Sequence, residues 1–144
     1  MTDSPIYVDT CCLGSYYMEE VHTEKVQSIL LSIKHPVISL LTEVEFHSML
    51  NKKQRMNQIN DKQFKLLIIK FNEHLRAGLY EIFTLEDSVY HTARWVLSKT
   101  EHPIRTLDSL HLAFVITHQL TLFSTDKVLL DAAVNLKIDV VSGV

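Results

Sequence analysis

Four acidic residues, well separated along the chain, have types and positions that could do chemistry together: Asp9, Glu45, Asp108 and Asp126. Carboxylates gathered at one place repel one another, so they must take up protons or be neutralised by a cation. Hard divalent cations such as Mg²⁺ and Mn²⁺ prefer carboxylate and water ligands, and ions of this kind support phosphodiester hydrolysis. We therefore expect the four acids to be both metal ligands and catalytic residues, if the fold brings them together.

The elements that must position these acids alternate between strands and helices. Short apolar runs predict strands at residues 5–10, 35–41, 79–85, 120–125 and 138–143. Helical patterns separate or follow these strands, at residues 19–33, 42–55, 60–78, 86–99, 107–119 and 126–136. Such alternation predicts a short-stranded, mainly parallel central sheet with helices on both faces. We therefore expect one α/β domain over residues 1–144, with a three-layer α/β/α architecture.

The predicted sheet explains how distant acids could meet. In open α/β sheets, ligands bind beyond the carboxyl ends of the strands. Asp9 ends the first predicted strand, Glu45 lies one turn past the second, and Asp126 follows the fourth. Asp108 lies at the head of the helix that leads into the fourth strand. The predicted fold thus directs all four acids toward one edge of the sheet.

Each acid also has a purely structural alternative. Asp108 and Asp126 stand where a helix N-cap is expected. The sequence "TEVE" matches a capping box with Thr42 at the N-cap and Glu45 at the third helical position. Asp9 is the hardest to explain in this way, because a carboxylate after a buried strand needs a partner and no neighbouring basic residue supplies one. Taken together, the four acids favour a metal site.

Further residues are candidates for the edge of such a site. Thr10 and Thr125 adjoin two of the acids, and Asp131 follows Asp126 on the same predicted helix. A salt bridge to Lys127 is the alternative for Asp131. His111 lies three residues after Asp108, where a hydrogen-bonded, partly buried histidine is favoured over a catalytic one.

Composition limits the classes of protein and partner. The net charge of −3 argues against a non-specific nucleic-acid coat, but it does not exclude an enzyme that holds its substrate through metal ions. The adjacent Cys11 and Cys12 favour neither a disulfide nor a zinc site. Because the sequence has no bilayer-length apolar run and its N-terminus lacks signal-peptide features, we expect a cytoplasmic protein without membrane association.

Four segments, taken in order, resemble the motifs of PIN-domain nucleases, specifically the VapC-type toxins of bacterial toxin–antitoxin pairs. They are "YVDTCCLGSYYMEE", "ISLLTEVEF", "IRTLDSLHLA" and "LFSTDKVLLDAA". The matching acids are Asp9, Glu45 rather than Glu43, Asp108 and Asp126. The resemblance implies an endoribonuclease that depends on Mg²⁺ or Mn²⁺, with RNA as substrate. It also implies a homodimer that a cognate antitoxin protein restrains.

For such a nuclease, four basic residues are candidate RNA contacts, since cations bind phosphates. They are Lys52, Lys53 and Arg55 in "NKKQR", and Arg105 just before the third motif. A solvated helix end is the ordinary interpretation of the "NKKQR" run.

The chain departs from the family pattern at two positions. Cys11 stands where the family has Ser or Asn, and Ser15 stands where a basic residue is frequent. A thiol is a weaker hydrogen-bond partner than a hydroxyl, so support for the metal is expected to be poorer. Neither departure removes an acid.

Three other functions compete with this interpretation. A phosphatase of the haloacid dehalogenase class needs a second aspartate at the position of Cys11, and a receiver-like module needs a lysine after the last strand, where "IDVVSGV" has none. A catalytically weak or silent PIN module that binds RNA or protein as a scaffold is expected to have lost some of the acids. It stays as the alternative.

Overall fold

The computed structural model describes residues 3–144, and its elements alternate much as the sequence predicts. In chain order they are β1 (Ile6–Val8), α1 (Thr10–Tyr17), α2 (Thr23–Ser32), β2 (Pro36–Ser39), α3 (Leu40–Arg55), α4 (Asp61–Arg76), β3 (Glu81–Phe83), α5 (Asp87–Lys99), α6 (Thr106–His118), β4 (Thr121–Ser124), α7 (Lys127–Asn135) and β5 (Val140–Ser142). Along residues 3–144, every helix is too short or too polar to span a bilayer.

The five strands form one sheet in the order β3-β2-β1-β4-β5. Every neighbouring pair is parallel, so the prediction of a mainly parallel sheet is confirmed. The chain moves outward from β1 to β3 on one side and then returns to place β4 and β5 on the other. The strand order therefore reverses between β1 and β4, which is where open α/β sheets form ligand sites.

Two hydrophobic clusters cover the two faces of the sheet. Successive strand side chains point to opposite faces, so Ile6 and Val8 join one cluster and Tyr7 joins the other. The first cluster contains buried side chains of α1 to α4, and the second contains those of α5 to α7. The predicted three-layer α/β/α architecture is confirmed.

Helix α1 was not among the predicted elements. Its sequence "TCCLGSYY" contains few residues that favour a helix. Asp9 starts the helix by accepting a hydrogen bond from the backbone N–H of Thr10. Gly14 allows close packing against α3, because a Cβ at this position would lie 2.7 Å from Sδ of Met49. Tertiary packing and a cap therefore form a helix that local propensity does not predict.

Helix α3 begins two residues earlier than predicted, so the capping-box interpretation of Glu45 is wrong. Ser39 is the N-cap, and its hydroxyl accepts from the backbone N–H of Thr42 at 3.3 Å. The Thr42 hydroxyl in turn accepts from the Ser39 backbone N–H at 3.2 Å. Because this pair satisfies the first turn, the side chain of Glu45 is not used for capping.

Candidate active site

Asp9 lies at the carboxyl end of β1 and is only 6% exposed. Its Oδ1 accepts from the backbone N–H of Thr10 at 2.8 Å. Its Oδ2 accepts from the thiol of Cys11 at 3.0 Å and from the hydroxyl of Ser124 at 2.8 Å. No basic side chain was expected beside Asp9, and these neutral donors satisfy the buried carboxylate. The thiol of Cys11 thus donates directly to Asp9, at the position where the family has a hydroxyl or an amide.

Ser124 links Asp9 to the acid that follows β4. Its hydroxyl oxygen accepts from the backbone N–H of Asp126 at 2.9 Å while the hydroxyl donates to Asp9. Asp126 also caps α7, since its Oδ1 accepts from the backbone N–H of Leu129 at 3.1 Å. Asp126 therefore caps α7 and also shares the hydroxyl of Ser124 with Asp9. Its interpretations as an N-cap and as a metal ligand are compatible.

Glu45 lies on the second turn of α3 with 22% of its side chain exposed. Its Oε1 accepts from the hydroxyl of Thr10 at 2.9 Å and from Nε2 of His111. Thr10, a peripheral candidate, thus bridges two acids, with its backbone N–H on Asp9 and its hydroxyl on Glu45. Asp9 and Glu45 are therefore held in a fixed relation across α1 and α3.

The Glu45–His111 contact shifts the pKa of both groups. Burial alone raises the pKa of Glu45, but the hydrogen bonds from His111 and Thr10 outweigh this effect and leave the pKa lowered. Burial alone lowers the pKa of His111, but the hydrogen bond to Glu45 and the charges of Asp9, Glu45 and Asp108 raise it above its usual value. Both shifts favour an ionised carboxylate beside a protonated imidazole.

Asp108 stands at the third position of α6, so its assignment as an N-cap is wrong. The N-cap is Arg105, and Oδ2 of Asp108 accepts from the Arg105 backbone N–H at 3.0 Å. The carboxylate therefore supports the first turn from inside the helix. Its charge also acts on His111, which lies one turn further along the same helix.

The donor chemistry fits a hard divalent cation. Within residues 3–144, Oε2 of Glu45, Oδ1 of Asp108 and Oδ2 of Asp126 accept no hydrogen bond, so each has lone pairs available. In the same part of the chain, no three His, Cys, Asp or Glu side chains are spaced to hold an ion. A bound cation would have to draw the acids together against their mutual repulsion.

The remaining candidates are distributed unevenly around the acids. The backbone N–H of Thr125 donates to Sγ of Cys11 at 3.4 Å, next to Asp9. Asp131 pairs with Lys127 at 3.1 Å on the exposed surface of α7, as the salt-bridge alternative predicts.

The four basic candidates differ in their surroundings. Lys52 and Lys53 line a cavity of about 380 Å³ that also contacts Cys11 and Thr125. Lys53 forms an ion pair with Glu20 at 3.2 Å, and Glu20 also accepts a hydrogen bond from Ser15. Arg55 and Arg105 are exposed, on the last turn of α3 and at the N-cap of α6.

Two contacts of the site were missed by the sequence analysis. Ser124 is fully buried and joins the supports of Asp9 and Asp126, but a serine at the end of a strand has no distinctive pattern. The sequence favours a hydrogen-bonded His111 but does not predict its partner, Glu45, which lies 66 residues away. The available signal was a histidine within the apolar stretch "SLHLAFV".

A parallel sheet with acids beyond the carboxyl ends of its central strands defines an α/β ligand-binding fold. The chain belongs to the PIN domain family, which it matches over residues 6–135. No curated protein matches the chain.

Several solved structures are similar to the whole fold. FitAcB from Neisseria gonorrhoeae has a TM-score of 0.74 at 20% identity, over 96% of this chain and 97% of that one. A toxin–antitoxin complex from Klebsiella pneumoniae has a TM-score of 0.64 at 14% identity, with 96% and 98% covered. VapC20 of Mycobacterium tuberculosis, described as a sarcin–ricin loop cleaving toxin, has a TM-score of 0.70 at 13% identity, with 88% and 94% covered. These identities support likeness of fold.

Proposed function

We propose that the chain is a single-domain endoribonuclease that depends on Mg²⁺ or Mn²⁺. The observation that carries the proposal is the connected set of acids at the carboxyl edge of the sheet. Thr10 links Asp9 to Glu45, and Ser124 links Asp9 to Asp126. Membership of the PIN domain family supports nuclease chemistry at these acids.

Asp9, Glu45, Asp108 and Asp126 are the proposed metal ligands. When bound, the cation supplies a polarised phosphate oxygen and a water of lowered pKa for hydrolysis of the phosphodiester. The protein's own contribution is to hold ionised carboxylates in place. The lowered pKa of Glu45 keeps this side chain in the charged form that ligation requires.

The RNA is proposed to approach over the basic residues beside the acids. Lys52 and Lys53 support this path because they line a cavity that reaches Cys11, the neighbour of Asp9. Arg55 and Arg105 are exposed and free to contact phosphates further along the strand. Lys53 must exchange its ion pair with Glu20 for a phosphate, so Lys52 is expected to contribute more.

Cleavage of purified RNA tests the proposal. The wild type should cleave in Mg²⁺ or Mn²⁺ and stop when EDTA is added, and Asp9→Asn should lose cleavage while remaining folded. Asp139→Asn is the matched control, because Asp139 is exposed. Metal-independent cleavage, or full cleavage by Asp9→Asn, would contradict the proposal. RNA binding without cleavage by the wild type would support the scaffold alternative instead.

The proposed role is that of a cytoplasmic toxin restrained by an antitoxin, as a homodimer. One similar structure is itself a toxin–antitoxin complex. The carboxylates at this edge of the sheet suit an inserted arginine, whose planar guanidinium binds a carboxylate bidentately, with a helix of the partner lying in a groove. The protein encoded by the neighbouring gene should bind tightly, block cleavage and compete with Mn²⁺. If it neither binds nor inhibits, the toxin assignment fails, whereas the nuclease chemistry is tested separately.

A further inference from the structure

A buried tyrosine–histidine pair lies directly behind Glu45. The hydroxyl of Tyr7 lies 2.6 Å from Nδ1 of His111, and Nε2 of His111 contacts Oε1 of Glu45. Tyr7 is fully buried and His111 is 2% exposed. The proposed hydrolysis does not itself require either group, so their burial in this arrangement needs a reason.

Tyr7 also fixes the start of the helix that carries Glu45. Its hydroxyl lies 2.9 Å from Oγ of Ser39 and 3.1 Å from Oγ1 of Thr42. These two residues form the capping box of α3. One hydroxyl on β1 is therefore shared between the first turn of α3 and the histidine ring of α6.

The direction of the hydrogen bond to Glu45 does not depend on the protonation state of His111. An ionised carboxylate only accepts, so Nε2 must carry the hydrogen in this contact. When His111 is neutral, its Nδ1 accepts a hydrogen bond from the Tyr7 hydroxyl. When His111 is protonated, its Nδ1 donates a hydrogen bond to the hydroxyl oxygen of Tyr7. In the neutral state, the hydroxyl oxygen of Tyr7 can still accept a hydrogen bond from the hydroxyl of Ser39 or Thr42.

We propose that His111, held from behind by Tyr7, is a positioning residue that fixes Oε1 of Glu45 and leaves Oε2 for metal ligation. The inference rests on the proposed metal site. Thr10 holds the same Oε1 from α1, so the carboxylate is fixed from two sides. Such hydrogen bonds to a ligand orient it and strengthen metal binding.

A purely structural role is the competing explanation. Replacing all partners of a buried polar network together by apolar groups of similar shape can be nearly neutral for stability, so stability alone does not explain why this network is present. The chain also offers a matched control, because Tyr17 contacts Nδ1 of His74 at the same 2.6 Å. That pair lies between α1 and α4, and within residues 3–144 no carboxylate hydrogen-bonds to it.

Mn²⁺ binding by calorimetry, without RNA, tests the proposal on purified full-length variants. His111→Leu should weaken binding about 10- to 100-fold. His111→Gln, whose amide can still donate to Glu45, should recover most of the affinity, and His74→Leu should bind like the wild type. In cleavage, His111→Leu should need more Mn²⁺ for half-maximal rate and regain most of the rate at saturating Mn²⁺.

The outcomes separate the inference from the proposed function. Wild-type affinity in folded His111→Leu would overturn the positioning role and leave the metal site standing. Absence of Mn²⁺ binding by the wild type would overturn both. If His111→Leu does not fold, Tyr7→Phe decides, because it removes one hydroxyl only; it should weaken Mn²⁺ binding by several-fold, and unchanged binding would count against the proposal.

Discussion

The molecule contains two tyrosine–histidine pairs with the same hydrogen-bond length and different surroundings. At the carboxyl edge of the sheet, the hydroxyl of Tyr7 lies 2.6 Å from Nδ1 of His111. Between α1 and α4, the hydroxyl of Tyr17 lies 2.6 Å from Nδ1 of His74. In the first pair, the far nitrogen of the imidazole contacts Glu45. In the second pair, the hydroxyl of Tyr17 also forms a hydrogen bond with the hydroxyl of Tyr80, at 2.9 Å.

The charged groups around each pair shift the pKa values of the two histidines in opposite directions. Burial lowers the pKa of both histidines, but the carboxylates around His111 outweigh burial and raise its pKa. For His74, burial and the nearby Lys70 leave the pKa lowered, against a smaller opposing effect of Glu73. The same pair therefore favours a charged imidazole at the proposed active site and a neutral one at the packing interface.

The largest expected effect comes from removing the carboxylate that distinguishes the first pair. Glu45→Gln should lower RNA cleavage at least about 100-fold, since it removes a proposed ligand and not only its support. Glu73→Gln, beside His74, should leave cleavage unchanged. Comparable rates for the two variants in a Mg²⁺-dependent assay would show that Glu45 has no special role.

The next largest difference is expected in stability, when the histidine of each pair is replaced by leucine. His111→Leu leaves a half-buried Glu45 without its strongest hydrogen-bond donor, and we expect a loss of about 1–3 kcal/mol in the free energy of unfolding. His74→Leu should cost less, about 0.5–1.5 kcal/mol, because His74 is only partly buried. Urea denaturation of the metal-free proteins measures both. A larger loss for His74→Leu would break the comparison.

The pH dependence of stability should have opposite signs for the two histidines. The raised pKa of His111 gives a stabilisation that is complete below its usual value of 6.5 and is lost as pH rises through the folded value. The lowered pKa of His74 gives a stabilisation that is present above 6.5 and is lost as pH falls through the pKa of His74 in the folded protein. The lowered pKa of Glu45 sets the acid limit, since its contribution is present above 4.5 and lost as pH falls below it.

These slopes can be measured by urea denaturation across pH. The stability difference between wild type and His111→Gln should shrink as pH rises above 6.5. The difference for His74→Gln should instead grow as pH rises toward 6.5 and level off above it. Parallel curves for the two variants would mean that the carboxylate does not distinguish the pairs.

The smallest effect is expected at Asp131, which neither pair contacts. Its exposed ion pair with Lys127 is of a kind that contributes about 0–1 kcal/mol. Asp131→Asn should change stability by less than about 0.5 kcal/mol and leave Mn²⁺ affinity unaltered. Calorimetry that finds weaker Mn²⁺ binding in this variant would make Asp131 a peripheral ligand after all.

The fold was largely predictable because local patterns determine most of it. The side chains of Ile6, Tyr7 and Val8 alternate between the two faces of the sheet because they follow one another in a strand. Helix α4 likewise begins at a local signal, since the side chain of Asn60 caps it by accepting from the backbone N–H of Gln63. Helix α1 was missed because its stability comes from packing, and the start of α3 was misplaced because Leu40 reads as a continuation of the strand.

The candidate site was predictable only in part. The positions of Asp9 and Asp126 follow from strand ends, which the sequence marks. The contacts that hold the acids span large separations, such as 104 residues between Tyr7 and His111 and 115 between Ser124 and Asp9. The apolar stretch around His111 marks this histidine as buried, unlike His74, but Glu45, the partner that raises the pKa of His111, comes from another element and is not marked in the local sequence.

The central claim is that the acids at the sheet edge hold a divalent cation. Anomalous scattering from crystals soaked in Mn²⁺ tests it most directly. We predict a peak about 2.0–2.3 Å from carboxylate oxygens of Asp9 and Glu45, completed by Asp108 or Asp126 and absent in Asp9→Asn crystals. A peak elsewhere, or none at saturating Mn²⁺, would contradict the account.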